Sequence, residues 1–273
     1  MKTPPQRLFR LAGLRLRRSD IGKTATWHLG DGGPKVLYIH GFRGNHLGLT
    51  GIAGALPETV AVIPDLPGYA KSPELETKHD LEGYASWLID FDSELGDAEL
   101  AVAHSFGTLV AAKALSMGWK PKRLALVNPI SSRADGASAR LADWYYRQSP
   151  ELLRSQLVVR GMSTALAKTK NPKLRSFIHR QHSENFSQFR SHRVATEGYQ
   201  AASKSSVLDY AEHIPASTLL IAGSNDMVAP LKGQRELSAT TGARLEILEG
   251  VGHLTHYERP SEVASHLASL LRN

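Results

Sequence analysis

The stretch Glu99-Leu-Ala-Val-Ala-His-Ser-Phe-Gly-Thr-Leu-Val-Ala-Ala-Lys113 constrains this chain more than any other. Its first half is a short apolar run, the pattern of a buried strand. Its second half places Ala and Leu at helical spacing, and the change of period falls on Ser105. Passing from strand to helix over one residue needs a sharp, strained backbone turn. Side chains two positions either side must then be small for strand and helix to approach each other. Ala103 and Gly107 occupy those positions. A plainer reading of Ser105, the capping residue of a helix start, stays open on this stretch alone.

The surrounding chain repeats the same change of period. Residues 14–18 and 23–29 alternate as exposed strands. Residues 36–40 and 60–64 are continuous apolar runs, as expected of strands covered on both faces. Residues 80–95 carry Leu81, Tyr84, Leu88 and Phe91 at core spacing for a helix, and residues 123–127 form another apolar run. Alternating strands and helices imply a parallel sheet with helices on both faces. That rhythm breaks at Asn128-Pro129. Only helical patterns follow, over 137–148, 150–169, 172–182 and 184–204. It returns with strands at 217–222 and 244–248 and helices at 231–239 and 260–272. The expectation is a core formed by residues 1–130 and 206–273, with residues 131–205 inserted as a helical lid.

Composition narrows the classes. A chain of 273 residues buries a full core without covalent staples. It has no cysteine, which excludes disulfides, a cysteine nucleophile and thiolate metal sites. Arginines interrupt every apolar run of the first 18 residues, a poor secretory signal. No run is long and apolar enough to span a bilayer, and the expected compartment is the cytoplasm. The net charge of +7 is uneven. Residues 1–24 hold seven Lys/Arg against one acid, and residues 131–205 hold thirteen against five, so the remaining body is acidic. Two basic segments on an acidic body, without a recognition-helix, zinc or RNA-binding motif, do not describe a nucleic-acid binder, and no such partner is expected.

Ala103-His104-Ser105-Phe106-Gly107 resembles the nucleophile elbow of the α/β-hydrolase family, departing from Gly-x-Ser-x-Gly in having Ala103 first. The resemblance implies an α/β fold with a mostly parallel eight-stranded sheet flanked by helices. It also implies the chain order serine, then aspartate or glutamate, then histidine. Asp226 lies just beyond the apolar run 217–222 and His253 just beyond 244–248, at the strand ends where open α/β sheets place their sites. Ser105, Asp226 and His253 are therefore expected as nucleophile, orienting acid and general base; Asp135 is the rival for the acid. His40-Gly41-Phe42 resembles the family's HGx loop, with Gly41 letting the backbone turn toward the site. The resemblance implies that the N–H groups of Phe42 and Phe106 form the oxyanion hole. His40 is expected to bond its own loop, and Asp65-Leu-Pro-Gly68 is similar to the family's structural DxxG turn. The resemblance covers the chain apart from the lid and the first dozen residues.

Relatives that open epoxides or displace halide carry aspartate at the elbow, so Ser105 points to acyl chemistry. The leading expectation is a carboxylesterase on a small or medium apolar ester, working through an acyl-enzyme without cofactor or metal. A thioesterase and a carbon–carbon bond hydrolase use the same triad. Cofactor-free peroxidase-type chemistry and a non-catalytic binding protein rank below them. Trp144, Tyr145, Leu152, Leu157 and Val158 are candidates for an apolar acyl pocket, though packing of lid helices explains them equally. His104 and His256 read as packing residues, and His179, His182 and His192 as solvated lid residues. The basic lid and N-terminus suit an anionic substrate such as an acyl-CoA, or contact with a membrane surface; a solvated basic face accounts for them as well. No motif defines an oligomeric state.

Overall fold

The computed structural model describes residues 14–96, 98–133, 156–186 and 189–272. Eight strands form one sheet: β1 (Arg17–Arg18), β2 (Thr26–Leu29), β3 (Lys35–Ile39), β4 (Val60–Pro64), β5 (Leu100–His104), β6 (Leu124–Val127), β7 (Leu219–Gly223) and β8 (Arg244–Leu248). Their order is β1-β2-β4-β3-β5-β6-β7-β8. β1 and β2 pair antiparallel, as do β2 and β4, while all pairs from β4 to β8 are parallel. This is the expected mostly parallel α/β sheet.

Successive residues of a strand point to opposite faces, and the apolar runs use both. Leu37, Ile39, Ala101, Ala103, Leu124 and Leu126 enter the core on one side, beneath helices α2 (Leu81–Leu95) and α3 (Phe106–Ser116). Val36, Tyr38, Leu100, Val102, Ala125 and Val127 enter the core on the other, beneath α1 (His46–Gly54) and the C-terminal helix. Every residue of β5 and β6 is buried. Covering both faces removes the need for polar alternation, so these strands read as unbroken apolar runs. Asp80 starts α2 by accepting from the Gly83 N–H, and left-handed Gly96 ends it.

Beyond β6 the described chain is helical: α4 (Gln156–Leu166), α5 (Pro172–Phe186), α6 (His192–Lys204) and a 3-10 helix (Val207–His213). Then come α7 (Leu231–Thr241), a short α8 (Thr255–Glu258) and α9 (Pro260–Arg272). Of the expected helices, 137–148 and the first residues of 150–169 lie outside the described residues. The expected helix over 184–204 is corrected. Phe189 makes an antiparallel bridge with Tyr69, and the Arg190 N–H donates to the Gly68 carbonyl at 2.9 Å. The helical pattern is therefore cut there, and Ser191 restarts it as the cap of α6, accepting from Val194 N–H. Among the described residues no helix is long and apolar enough to cross a membrane.

Candidate functional site

Ser105 occupies the junction of β5 and α3 with φ 52° and ψ −118°, a region that non-glycine residues enter at about 1–3 kcal/mol. The surrounding elements hold it there. Its N–H donates to the Val127 carbonyl at 3.0 Å, extending the β5–β6 pairing, and its carbonyl accepts from the Thr108 hydroxyl. A Cβ on Gly107 would lie 2.6 Å from the Ile39 carbonyl oxygen, so only glycine lets α3 start this close to β3. The capping reading of Ser105 fails, because its side chain makes no cap bond. The Ser105 hydroxyl instead lies 2.7 Å from Nε2 of His253.

The structure brings Asp226 and His253 to this serine. Asp226 follows β7, and its Oδ2 accepts from His253 Nδ1 at 2.7 Å. A carboxylate can only accept, so Nδ1 carries the proton and Nε2 is left to accept from the serine hydroxyl. Both residues are buried, at 6% and 5% exposure. Burial alone would raise the Asp226 pKa. The His253 bond and the Ala229 and Val228 N–H groups, donating at 2.9 and 2.8 Å, outweigh it and hold the carboxyl below its ordinary value. Asp135 lies outside the described residues.

Three supports for this row were not expected from the sequence. Asn128, at the end of β6 with φ 49°, donates from Nδ2 to Asp226 Oδ2 at 2.8 Å and accepts from the Thr255 hydroxyl at 2.6 Å. Its place just before Pro129 marks the break in the strand–helix rhythm, the one trace it leaves in the sequence. The His253 N–H donates to the Leu166 carbonyl at 2.8 Å. The Glu258 carboxylate accepts from Gly252 N–H at 3.0 Å and Lys168 N–H at 3.1 Å, joining the histidine loop to the chain after α4.

The loop after β3 lies against the elbow. A Cβ on Gly41 would meet the Ser105 Cβ at 2.9 Å, and Gly41 has no positive φ. The expected reason for this glycine, freedom to turn, is replaced by a need for space. His40 bonds its own loop, with Nδ1 donating to the Gly41 carbonyl at 2.9 Å and Nε2 accepting from Leu66 N–H at 3.0 Å. Phe42 packs its ring against Phe106 at 6.2 Å, Phe189 at 5.4 Å and Tyr199 at 6.3 Å between centroids. Phe189 and Tyr199 come from the helical segment, so an aromatic wall spans both parts of the chain. Asp65 accepts from the His46 and Lys71 backbone N–H groups, which closes its turn.

The remaining histidines divide. His104 Nε2 donates to the His253 carbonyl at 3.2 Å, and His256 packs edge-on to His104 at 4.2 Å. The expected solvated role of His182 is corrected. Its Nδ1 bonds the Ser163 hydroxyl at 3.0 Å, and burial, with Arg43 and His179 nearby, pushes its pKa down to about 3. His192 is exposed and bonds Thr196 within α6. Of the expected pocket residues, Trp144, Tyr145 and Leu152 lie outside the described residues. Leu157 and Val158 lie on α4, and their side chains are likewise outside the description.

A protein-family model described as "Alpha/beta hydrolase family" matches residues 36–266. No curated protein matches the chain. Among solved structures it is similar to an esterase from Exiguobacterium antarcticum, with TM-score 0.77 and 19% identity over 92% of this chain and 96% of that one. It is also similar to a bromoperoxidase from Bacillus anthracis, with TM-score 0.79 and 15% identity over 95% and 100%. A third similar structure is 2-hydroxy-6-oxo-6-phenylhexa-2,4-dienoate hydrolase from Rhodococcus sp. strain RHA1, with TM-score 0.76 and 17% identity over 95% and 99%. At these identities the likeness is one of fold.

Proposed function

This chain belongs to the alpha/beta hydrolase family, and from that premise we propose that it is a serine hydrolase acting on an acyl bond, with esters of small or medium apolar acyl groups as its substrates. The observation that carries this reading is the unbroken row from the Ser105 hydroxyl through His253 to Asp226, with 2.7 Å at each step. A serine hydroxyl becomes a useful nucleophile when a base takes its proton as it attacks, and a fixed acid holds that base in the right tautomer.

In this reading Ser105 Oγ bonds to the acyl carbon while its proton passes to His253 Nε2. Asp226 steadies the imidazolium, and its own hydrogen bonds keep it ionised. The Phe106 N–H opens α3, where first-turn donors have no intrahelical acceptor and the helix dipole favours negative charge. With the Phe42 N–H it holds the tetrahedral oxyanion. His253 then gives its proton to the leaving alkoxide, and water repeats the sequence on the acyl-enzyme. Residues 131–205 serve as a lid, whose Phe189 and Tyr199 complete the aromatic wall around Phe42.

The test is hydrolysis of p-nitrophenyl esters from acetate to long-chain, with Ser105→Ala alongside. Turnover that depends on the serine and peaks at short or medium chains supports the reading. Inert esters together with a Ser105 that a fluorophosphonate still labels would move the substrate class to thioesters or carbon–carbon bonds. Inert esters and an unlabelled serine would end the hydrolase reading.

A further inference from the structure

Helices α4 and α5 and the loop between them flank an open cleft of about 660 Å³, lined by Arg160, Lys170, Arg175 and Arg180 together with His179. On α5 these residues occupy a different side from buried Phe177, Ile178 and Gln181, which pack inward. Among the described residues no carboxylate lines the cleft, and none of the four cations has an ion-pair partner. Arg175 is steadied at the rim by donating to the Thr169 carbonyl at 3.0 Å. Nδ1 of His179 is buried and has no hydrogen-bond partner.

Like charges gathered around a concavity on a chain of net charge +7 repel one another, and an anion relieves that repulsion. Guanidinium forks match phosphate oxygens two at a time, and a group with two or more negative charges engages several cations together. We infer that the cleft between α4 and α5 binds a phosphate-bearing ligand, presented by a soluble phosphorylated molecule or by a phospholipid headgroup. This goes beyond the hydrolase reading and is read by binding alone, so the two fail independently.

The experiment measures binding at low ionic strength by calorimetry with sodium pyrophosphate and with coenzyme A. Co-sedimentation with phosphatidylcholine vesicles, with and without phosphatidylglycerol, covers the membrane source. The cleft variant is Arg175→Glu with Arg180→Glu. The control is Lys232→Glu with Arg235→Glu, which makes the same charge change on exposed positions of α7. We expect wild-type binding that weakens with salt, a loss of about tenfold or more in the cleft variant, and near wild-type affinity in the control. Binding confined to the soluble probes assigns the cleft to a soluble phosphate; binding confined to anionic vesicles assigns it to a headgroup. Absence of binding to every probe, equal loss in both variants, or no loss in the cleft variant overturns the proposal. Should melting curves show the cleft variant misfolded, Arg175→Gln, which keeps the stem and removes the charge, replaces it under the same criteria.

Discussion

The backbone N–H of His253 is held by the carbonyl of Leu166, the last residue of α4, at 2.8 Å. The proposed base thus depends on a helix outside the sheet, and Glu258 repeats the link with one oxygen on Gly252 and the other on Lys168. Hydrogen bonds to an ionised group each contribute about 1.5–3 kcal/mol. Glu258→Ala should lower kcat by about tenfold or more, with little change in KM, and lower the melting temperature by several degrees. Glu258→Gln, which keeps one acceptor, should fall between. A kcat within twofold of wild type, measured on any ester the enzyme turns over, would remove Glu258 from the support of His253.

Asp226 can be tested against its own isostere. Asn at this position offers an N–H where His253 Nδ1 needs an acceptor, so it favours the wrong tautomer of the base. Asp226→Asn should lower kcat on the order of 10⁴-fold while the protein stays folded. Retention of more than a tenth of the activity would mean that Asp226 does not orient His253.

The strain at Ser105 predicts an exchange of stability for activity. Glycine tolerates φ 52° and ψ −118°, so Ser105→Gly relieves about 1–3 kcal/mol of strain and gives back part of it in unfolded-chain entropy. The variant should be inactive and melt higher than Ser105→Ala. If Ser105→Gly melts lower than Ser105→Ala, the elbow stores no strain.

Acid should weaken the fold before it reaches ordinary carboxylate pKa values. Burial lowers the pKa of His40 to about 4 and that of His104 to about 3. For His40 the structure adds a reason: protonating Nε2 would break its bond with Leu66 N–H. An unfolded histidine titrates near 6.5, so below that pH the unfolded chain binds protons that the folded chain refuses. The stability from these residues is complete above about pH 6.5. Each loses about 1.4 kcal/mol per unit as pH falls, until the folded pKa is reached. Asp226, held low, adds its loss only in stronger acid. The melting temperature should fall steeply from pH 6.5 to 4.5, and His104→Gln should fall less steeply. A flat profile over that range would contradict buried neutral histidines.

How much could be read from the chain depended on how local the cause was. The sheet was legible because strands covered on both faces must be apolar at every position, as in Leu100–His104. Ser105, Asp226 and His253 were legible as residues at strand ends, since the turn chemistry beside each is local. Asn128, Leu166 and Glu258 were not, because they act through contacts made only when distant segments meet. Gly41 was visible as a glycine, yet its reason, the Cβ of Ser105, lies in another strand's turn. The interruption at Phe189 was hidden for the same cause: its helical pattern is overridden by a bridge to Tyr69.

That bridge fixes when the aromatic wall exists. Phe42, Tyr69, Phe189 and Tyr199 meet only after three remote stretches have docked, whereas Ser105, Asp226 and His253 follow strands β5, β7 and β8 of one sheet. The proposed triad is therefore anchored on buried strands of the sheet, and the wall at a seam that can part by local opening. At denaturant concentrations too low to unfold the sheet, the two features should separate: fluorophosphonate labelling of Ser105 persists while preference among acyl chains is lost.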